Sequence, residues 1–369
     1  MTSTFASPAA TPALPGLMAY LRQTAQEIRA AASRHRVIHA IAAFSYVAGI
    51  LECLWLGLPV NYDLVSIVSG SGLVFLGVAI GLWLAFDLLR LWRQGYEGSP
   101  SKALVAKLAT DILAPTRVAN ALNIFVANGI FFVGFIAIKK AIPHLVPFAW
   151  DERLAALDAA LHFGRHPHEW LMPLFRSPFM LMLMNVTYNL WFGVLLFCFF
   201  WFGYAKSDSA MRQRYFIAYL LLWLLGTCVA GTILSSAGPC FYGHVVAGPD
   251  PYAGLLSTLR SANDIWPIWA VPTQDTLWQS NLAGHGDIEG VSAMPSLHVA
   301  TSVLFILQAR AWGKRWAVWF TSLFAIVIFM GSIVLAWHYA ADGYVGGVLA
   351  LACWWIAGKL APPVEPAAI

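Results

Sequence analysis

Charge is what this chain has least of. Only 11% of its 369 residues are Asp, Glu, Lys or Arg, against about 25% in ordinary soluble domains. So few charges cannot cover a water-facing surface, which excludes a soluble globular protein. The formal charge of +4 is too small for nucleic-acid binding, and the basic residues cluster in loops. Cysteine is also scarce, with Cys53, Cys198, Cys228, Cys240 and Cys353. None has metal-ligand spacing and four lie in apolar stretches, so neither a zinc site nor a required disulfide is expected. The first 36 residues lack the apolar core of a signal peptide. They carry Arg22, Arg29, Arg34 and Arg36 and read as a partly amphipathic tail on the cytoplasmic side. No internal repeat or low-complexity tract is present.

Apolar sequence is abundant. Hydrophobic residues make up 59% of the chain, and the 17 tryptophans suit a membrane–water interface. Eight stretches can cross a hydrocarbon core that takes roughly 20 residues to span, at 37–58, 65–90, 120–139, 180–204, 215–236, 295–311, 316–337 and 342–360. They lack the two-residue alternation of a membrane barrel, and lipid tolerates no unpaired backbone, so they must be helices. The expected fold is an all-α polytopic membrane bundle of about eight transmembrane helices.

The loops set its orientation. With the N-terminus inside, 16 of the 22 basic residues fall on the cytoplasmic side; Lys139, Lys140, Arg153, Arg165, Arg176 and Arg260 fall outside. The positive-inside rule favours this arrangement, with both termini cytoplasmic. Two long outer segments result. Residues 140–179 contain Trp150-Asp151-Glu152-Arg153 and read as a short interfacial helix followed by a turn. Residues 237–294 are rich in Gly, Pro and Trp and read as a cap over a site. The chain divides into a tail (1–36), two accessory helices with a cytoplasmic loop (37–119), a membrane catalytic domain (120–360) and a C-terminal tail (361–369).

Two short motifs lie at the outer edge of this bundle. In Met294-Pro295-Ser296-Leu297-His298, Pro295 suits the first turn of a helix. Ser296 and His298 would then sit where free N–H groups and the helix dipole favour an anion. In His338-Tyr339-Ala340-Ala341-Asp342, the imidazole and carboxylate are four apart and share a helical face. Asp342 could hold one ring nitrogen of His338 and leave the other free for nucleophilic attack, while His298 could protonate a departing alkoxide. An ordinary polar helix start and an interfacial His-Tyr anchor capped by Asp342 are the alternatives. A transporter or lipid-binding scaffold is the competing class, although the ionisable residues gather at one mouth rather than the midplane.

These motifs make residues 120–360 resemble the type 2 phosphatidic acid phosphatase superfamily, and most closely its inositol phosphorylceramide synthase-like branch. Pro295-Ser296-Leu297-His298 matches the second motif; His338 and Asp342 match the third. The resemblance implies His338 as a nucleophile that forms a phosphohistidine, Asp342 as its orienting partner and His298 as the proton donor. Ser296 would help hold the phosphate. It also implies a core of six spanning helices, no cofactor and no metal. The partners would be a membrane lipid donor and a hydroxyl acceptor, either a second lipid or water. A bacterial inner membrane with the site on the periplasmic side is the default location, and nothing in the sequence sets an oligomeric state.

Three cations of the family pattern are missing. The first motif's Lys, then six residues, then Arg-Pro, reads here as Gly231, then six residues, then Gly238-Pro239. The third motif's Arg is replaced by Ser332. The run Ser235–Tyr242 resembles the corresponding loop of the synthase branch; Tyr242 in that run and Ser332 at the third motif's arginine position are candidate substrate contacts. Arg260, the only basic residue of the long outer loop, is a candidate phosphate ligand or else a solvated charge. Lys139 and Lys140 read first as snorkelling anchors and second as substrate contacts. Tyr188, Asn189 and Trp191 could line a head-group pocket or simply pack. Glu52, inside the first span, is protonated or paired and has no assigned role.

Overall fold

The computed structural model describes residues 16–60, 63–96, 98–205, 210–283 and 290–361. Of the expected tails (1–36 and 361–369), residues before 16 and beyond 361 lie outside the described residues, while Leu17–Arg34 of the first forms a helix. Among the described residues every regular element is a helix, and no strand is present. Its principal helices are α1 (Leu17–Arg34), α2 (Arg36–Leu56), α3 (Asp63–Arg93), α4 (Pro115–Leu145), α5 (Asp151–Leu161) and α6 (Pro178–Gly203), followed by α7 (Ala210–Ile233), α8 (Ala253–Asn263), α9 (Ala270–Ala283), α10 (Leu297–Trp312), α11 (Arg315–Val334) and α12 (Ala340–Leu360).

Among the described residues, α2, α4, α6, α7, α11 and α12 are long and apolar enough to cross a membrane. The second expected stretch is helical as α3, with 31 residues. The sixth is α10, with only 16 residues. It is short because the chain enters it late: Ser296 is the N-cap, its hydroxyl accepting from the Val299 N–H, and Pro295 precedes the helix instead of occupying its first turn. Gly313, in the left-handed conformation at φ +73°, ends it as glycine does when no Cβ can be tolerated.

The accessory helix α2 runs parallel to α4 and packs along it. His39 meets Asn123, the Ser45 hydroxyl donates to the Phe131 carbonyl, and the Cys53 thiol to that of Ala137. Small residues permit the approach: a Cβ on Gly49 would run into the Gly134 carbonyl oxygen. Backbones this close are a common membrane-helix contact.

The main core is formed by inward faces of α2, α4, α6, α7 and α10–α12, with Phe131, Tyr215, Phe216, Leu220, Leu304 and Ile328 all 2% exposed or less. A second cluster caps one end, joining Leu154 and Ala155 of α5 to Tyr242, Tyr252, Met294, Tyr339 and Ala341. This end holds the start of α10, the end of α11 and the start of α12.

Candidate active site

Backbone geometry brings the two histidine motifs together. Helix α11 ends in a tight reversal: the Ala336 N–H donates to the Ile333 carbonyl, and the Trp337 and His338 N–H groups donate to that of Ser332. Closing such a turn requires a left-handed residue, and the chain uses Ala336 at φ +58°. His338 follows two residues later, just ahead of α12. Its Nδ1 lies 3.3 Å from Asp342 Oδ2, which also accepts the Tyr339 N–H at 3.1 Å. With the proton on Nδ1, the ring donates to the carboxylate and Nε2 keeps its lone pair.

His298 lies in the first turn of α10. Its ring centroid is 6.2 Å from that of His338, close enough for one tetrahedral phosphoryl group to touch both rings. The Ser296 N–H donates to the Asp342 carbonyl oxygen at 3.1 Å, tying the start of α10 to the start of α12. Aromatic side chains of α6 cage His298: Tyr188 stacks at 4.8 Å and 20°, Trp191 approaches to 4.0 Å and Phe192 lies edge-on at 5.9 Å. The Trp191 Nε1–H donates to the Thr301 hydroxyl at 2.9 Å, fixing that wall of the cage. The buried Tyr188 hydroxyl has no hydrogen-bond partner.

The other expected contacts are distributed differently. Ser296 is fully buried and caps α10. Ser332 is also buried; its hydroxyl donates to the Phe329 carbonyl within α11, and its own carbonyl holds the His338 loop. Tyr242 packs against Tyr252, with centroids 5.5 Å apart, in the cap cluster. Arg260 makes a forked ion pair with Asp275, at 2.7 and 3.1 Å. Both line a cavity of about 210 Å³ with His244, Gln274 and Trp278. The cavity is walled from the histidines by backbone: the Gln274 amide donates to the Leu335 carbonyl and the Cys240 N–H to that of Ala336. Lys139 packs beneath Gly290 and stands within electrostatic reach of His298.

The three positions lacking a cation are closed to one. A Cβ on Gly231 would lie 2.8 Å from the Ser292 hydroxyl and 3.2 Å from the Met294 carbonyl. Gly238 has φ +100°, and a Cβ there would meet the Trp337 carbonyl at 2.9 Å. Ser332 has no exposed surface.

Two carboxylates that sequence reasoning left on an interfacial helix instead reach into this region. Asp151 accepts the N–H groups of Ala237 and Gly238 at 2.9 and 2.8 Å, and the Tyr339 hydroxyl at 2.9 Å. Asp158 accepts those of Ala340 and Ala341 at 2.7 and 2.8 Å. Burial raises both pKa values while the bonded amides pull them back; Asp158 is pushed up to about 6. Their seven-residue spacing, two helical turns on one face, was the available signal. Among the described residues, no three His, Cys, Asp or Glu side chains gather as a metal site.

No curated protein and no solved structure matches this chain. A family model described as the PAP2 superfamily, the type 2 phosphatidic acid phosphatases, matches residues 152–356. That is more than half of the chain, and it includes both histidine motifs, so the chain belongs to the PAP2 superfamily.

Proposed function

We propose that this membrane protein is a lipid phosphotransferase that works through a phosphohistidine. It would move a phosphate or phospho-head-group from a lipid donor to a hydroxyl acceptor. The observation that carries the reading is the His338–Asp342 pair set 6.2 Å, ring to ring, from His298. In the first step His338 Nε2 attacks phosphorus, the bond to the leaving oxygen breaks, and the His298 proton passes to that oxygen. In the second, the acceptor hydroxyl gives its proton to His298 and attacks the phosphohistidine, restoring His338. Positioning in a water-poor site supplies much of the rate.

Transfer of a phosphodiester unit, as in the inositol phosphorylceramide synthase-like branch, is favoured by the closed cation positions at Gly231, Gly238 and Ser332. A diester carries one negative charge where a monoester carries up to two. The catalytic domain is then residues 120–360, with its site on the non-cytoplasmic face of a bacterial inner membrane and both termini cytoplasmic. Lipid phosphate hydrolysis, with water as acceptor, is the second reading; membership of a phosphatase superfamily favours it.

Protein incubated with a lipid labelled at phosphorus and then denatured at alkaline pH should carry base-stable, acid-labile label that His338→Ala lacks. Equal label on wild type and His338→Ala would sink the phosphohistidine. Lipid mass spectrometry of cells with and without the protein then separates the readings. Transfer produces a new phosphodiester lipid, and hydrolysis produces a dephosphorylated lipid and inorganic phosphate.

A further inference from the structure

Phosphate sites are often built from backbone N–H groups in a turn or at a helix start. This region has two such cradles, the amides of Ala237 and Gly238 and those of Ala340 and Ala341. Each is already filled by a carboxylate of the protein itself. Both carboxylates come from α5, an outer helix that crosses no membrane, and both are buried, Asp151 at 1% and Asp158 at 2% exposure. An acid on a surface helix normally faces water, so the burial of two on one face calls for a function.

The bonded segments lie on either side of the nucleophile. Ala340 and Ala341 sit between His338 and Asp342, in the first turn of α12. Gly238 packs against the Trp337 carbonyl, and Tyr339 bonds Asp151 directly. Asp158 thus fixes the turn that sets the spacing of His338 from Asp342. Asp151 clamps the neighbouring loop and Tyr339 to the same helix. The Ala149 and Trp150 N–H groups, which donate to the Ser235 carbonyl at 3.1 and 3.2 Å, anchor the start of α5 in the same way.

We propose that Asp151 and Asp158 are positioning residues: from one face of α5 they occupy the two backbone anion cradles beside His338 and hold its ring in attacking orientation. This rests on the phosphoryl-transfer reading given above. The substrate phosphate is thereby left to the start of α10, where His298 and the α10 dipole meet.

The test uses the full chain in detergent micelles, with dioctanoyl phosphatidic acid and dioctanoyl phosphatidylinositol as probes and His338→Ala as the zero. Asp158→Asn keeps the shape of the side chain but leaves one acceptor oxygen for two amides. It should lower kcat ten- to a hundredfold with KM within twofold, while elution volume and helical circular dichroism stay those of the wild type. Glu152→Gln, an exposed neighbour on α5, should change neither constant. Tyr339→Phe removes a single bond to Asp151; it should lower kcat several-fold at constant KM, and it serves if Asp158→Asn does not assemble. Unchanged kcat in Asp158→Asn, or in Tyr339→Phe where that variant stands in, overturns the positioning role alone. So does a rise in KM with kcat intact, or activity that returns in full on cooling, which would mark a merely structural part. A wild type no faster than His338→Ala overturns the phosphoryl-transfer reading and this role together.

Discussion

The ring of Tyr188 lies flat against that of His298, 4.8 Å away and inclined by 20°. A proton donor is useful only if its nitrogen is aimed at the leaving oxygen, and a stacked wall fixes that aim. Tyr188→Phe preserves the stack and should retain most activity. Tyr188→Ala opens a void beside the imidazole and should slow transfer from an alkyl phosphate by roughly 10- to 100-fold, a partial loss of the roughly 100- to 10,000-fold that general acid catalysis contributes. An aryl phosphate with a nitrophenolate leaving group needs little protonation and should be slowed far less, in this variant and in His298→Ala. Parallel losses on both substrates would remove His298 from the proton-transfer role.

Ala336 is a left-handed alanine at the reversal that delivers His338, and its carbonyl accepts the Cys240 N–H at 2.9 Å. The Cβ in that conformation costs about 1–2 kcal/mol. Glycine would remove this cost but gain about 0.4–1 kcal/mol of freedom in the unfolded chain. On these two terms Ala336→Gly should stabilise the protein by a net of about 0–1.6 kcal/mol, visible as a higher unfolding midpoint in detergent. If the strain helps hold the nucleophile, kcat should not rise with it. A lower midpoint would mean that the alanine methyl makes contacts worth more than its strain.

The helices were legible because their cause is local. A run such as 215–236 is apolar on every side, and lipid requires it to be helical, as most of it is within α7. The proximity of His338 and Asp342 was legible for the same reason, as a four-residue interval on one turn. Long-range partners were not. Nothing near Arg260 in the sequence announces Asp275, fifteen residues on, as its forked partner. Nothing near Asp158 announces the amides of Ala340 and Ala341, more than 180 residues away. Tyr188 and Trp191 could be read as packing or as pocket; they are packing whose object is His298, a distinction periodicity does not carry.

Restoring the family's cations should fail for steric reasons. Gly238 occupies a region of backbone space open essentially to glycine alone, and any Cβ there would press on the Trp337 carbonyl, next to His338. Gly238→Arg should cost about 1–3 kcal/mol from the backbone alone and more from the displaced loop. Activity on both phosphomonoesters and phosphodiesters should fall together. Enhanced phosphomonoester hydrolysis in Gly238→Arg would show instead that the loop has room for a cation and that its loss, not the closed geometry, sets substrate preference.

Acid should loosen the cap cluster beside the histidines through His168. Its ring is buried and its Nδ1 has no hydrogen-bond partner. It packs against Tyr252 and His166, with centroids 5.2 and 5.9 Å away. Burial, reinforced by the neighbouring His166 and opposed by Glu169, pushes its pKa down to about 4. An unfolded chain takes up that proton near pH 6.5, so between about pH 6.5 and about pH 4 the unfolded state binds more protons than the folded one. Stability from this group is fully present above that window and is lost as pH falls through it. Asp158 acts in the opposite sense: with its pKa raised to about 6, the folded state holds the extra proton between 3.8 and about 6, and its share of stability falls as pH rises there. The two contributions overlap, so a variant must separate them. His168→Gln keeps a polar ring-sized group that does not titrate. Its unfolding midpoint should fall less than that of the wild type between about pH 6.5 and about pH 4. Identical pH slopes in the two proteins would place the acid-sensitive group elsewhere.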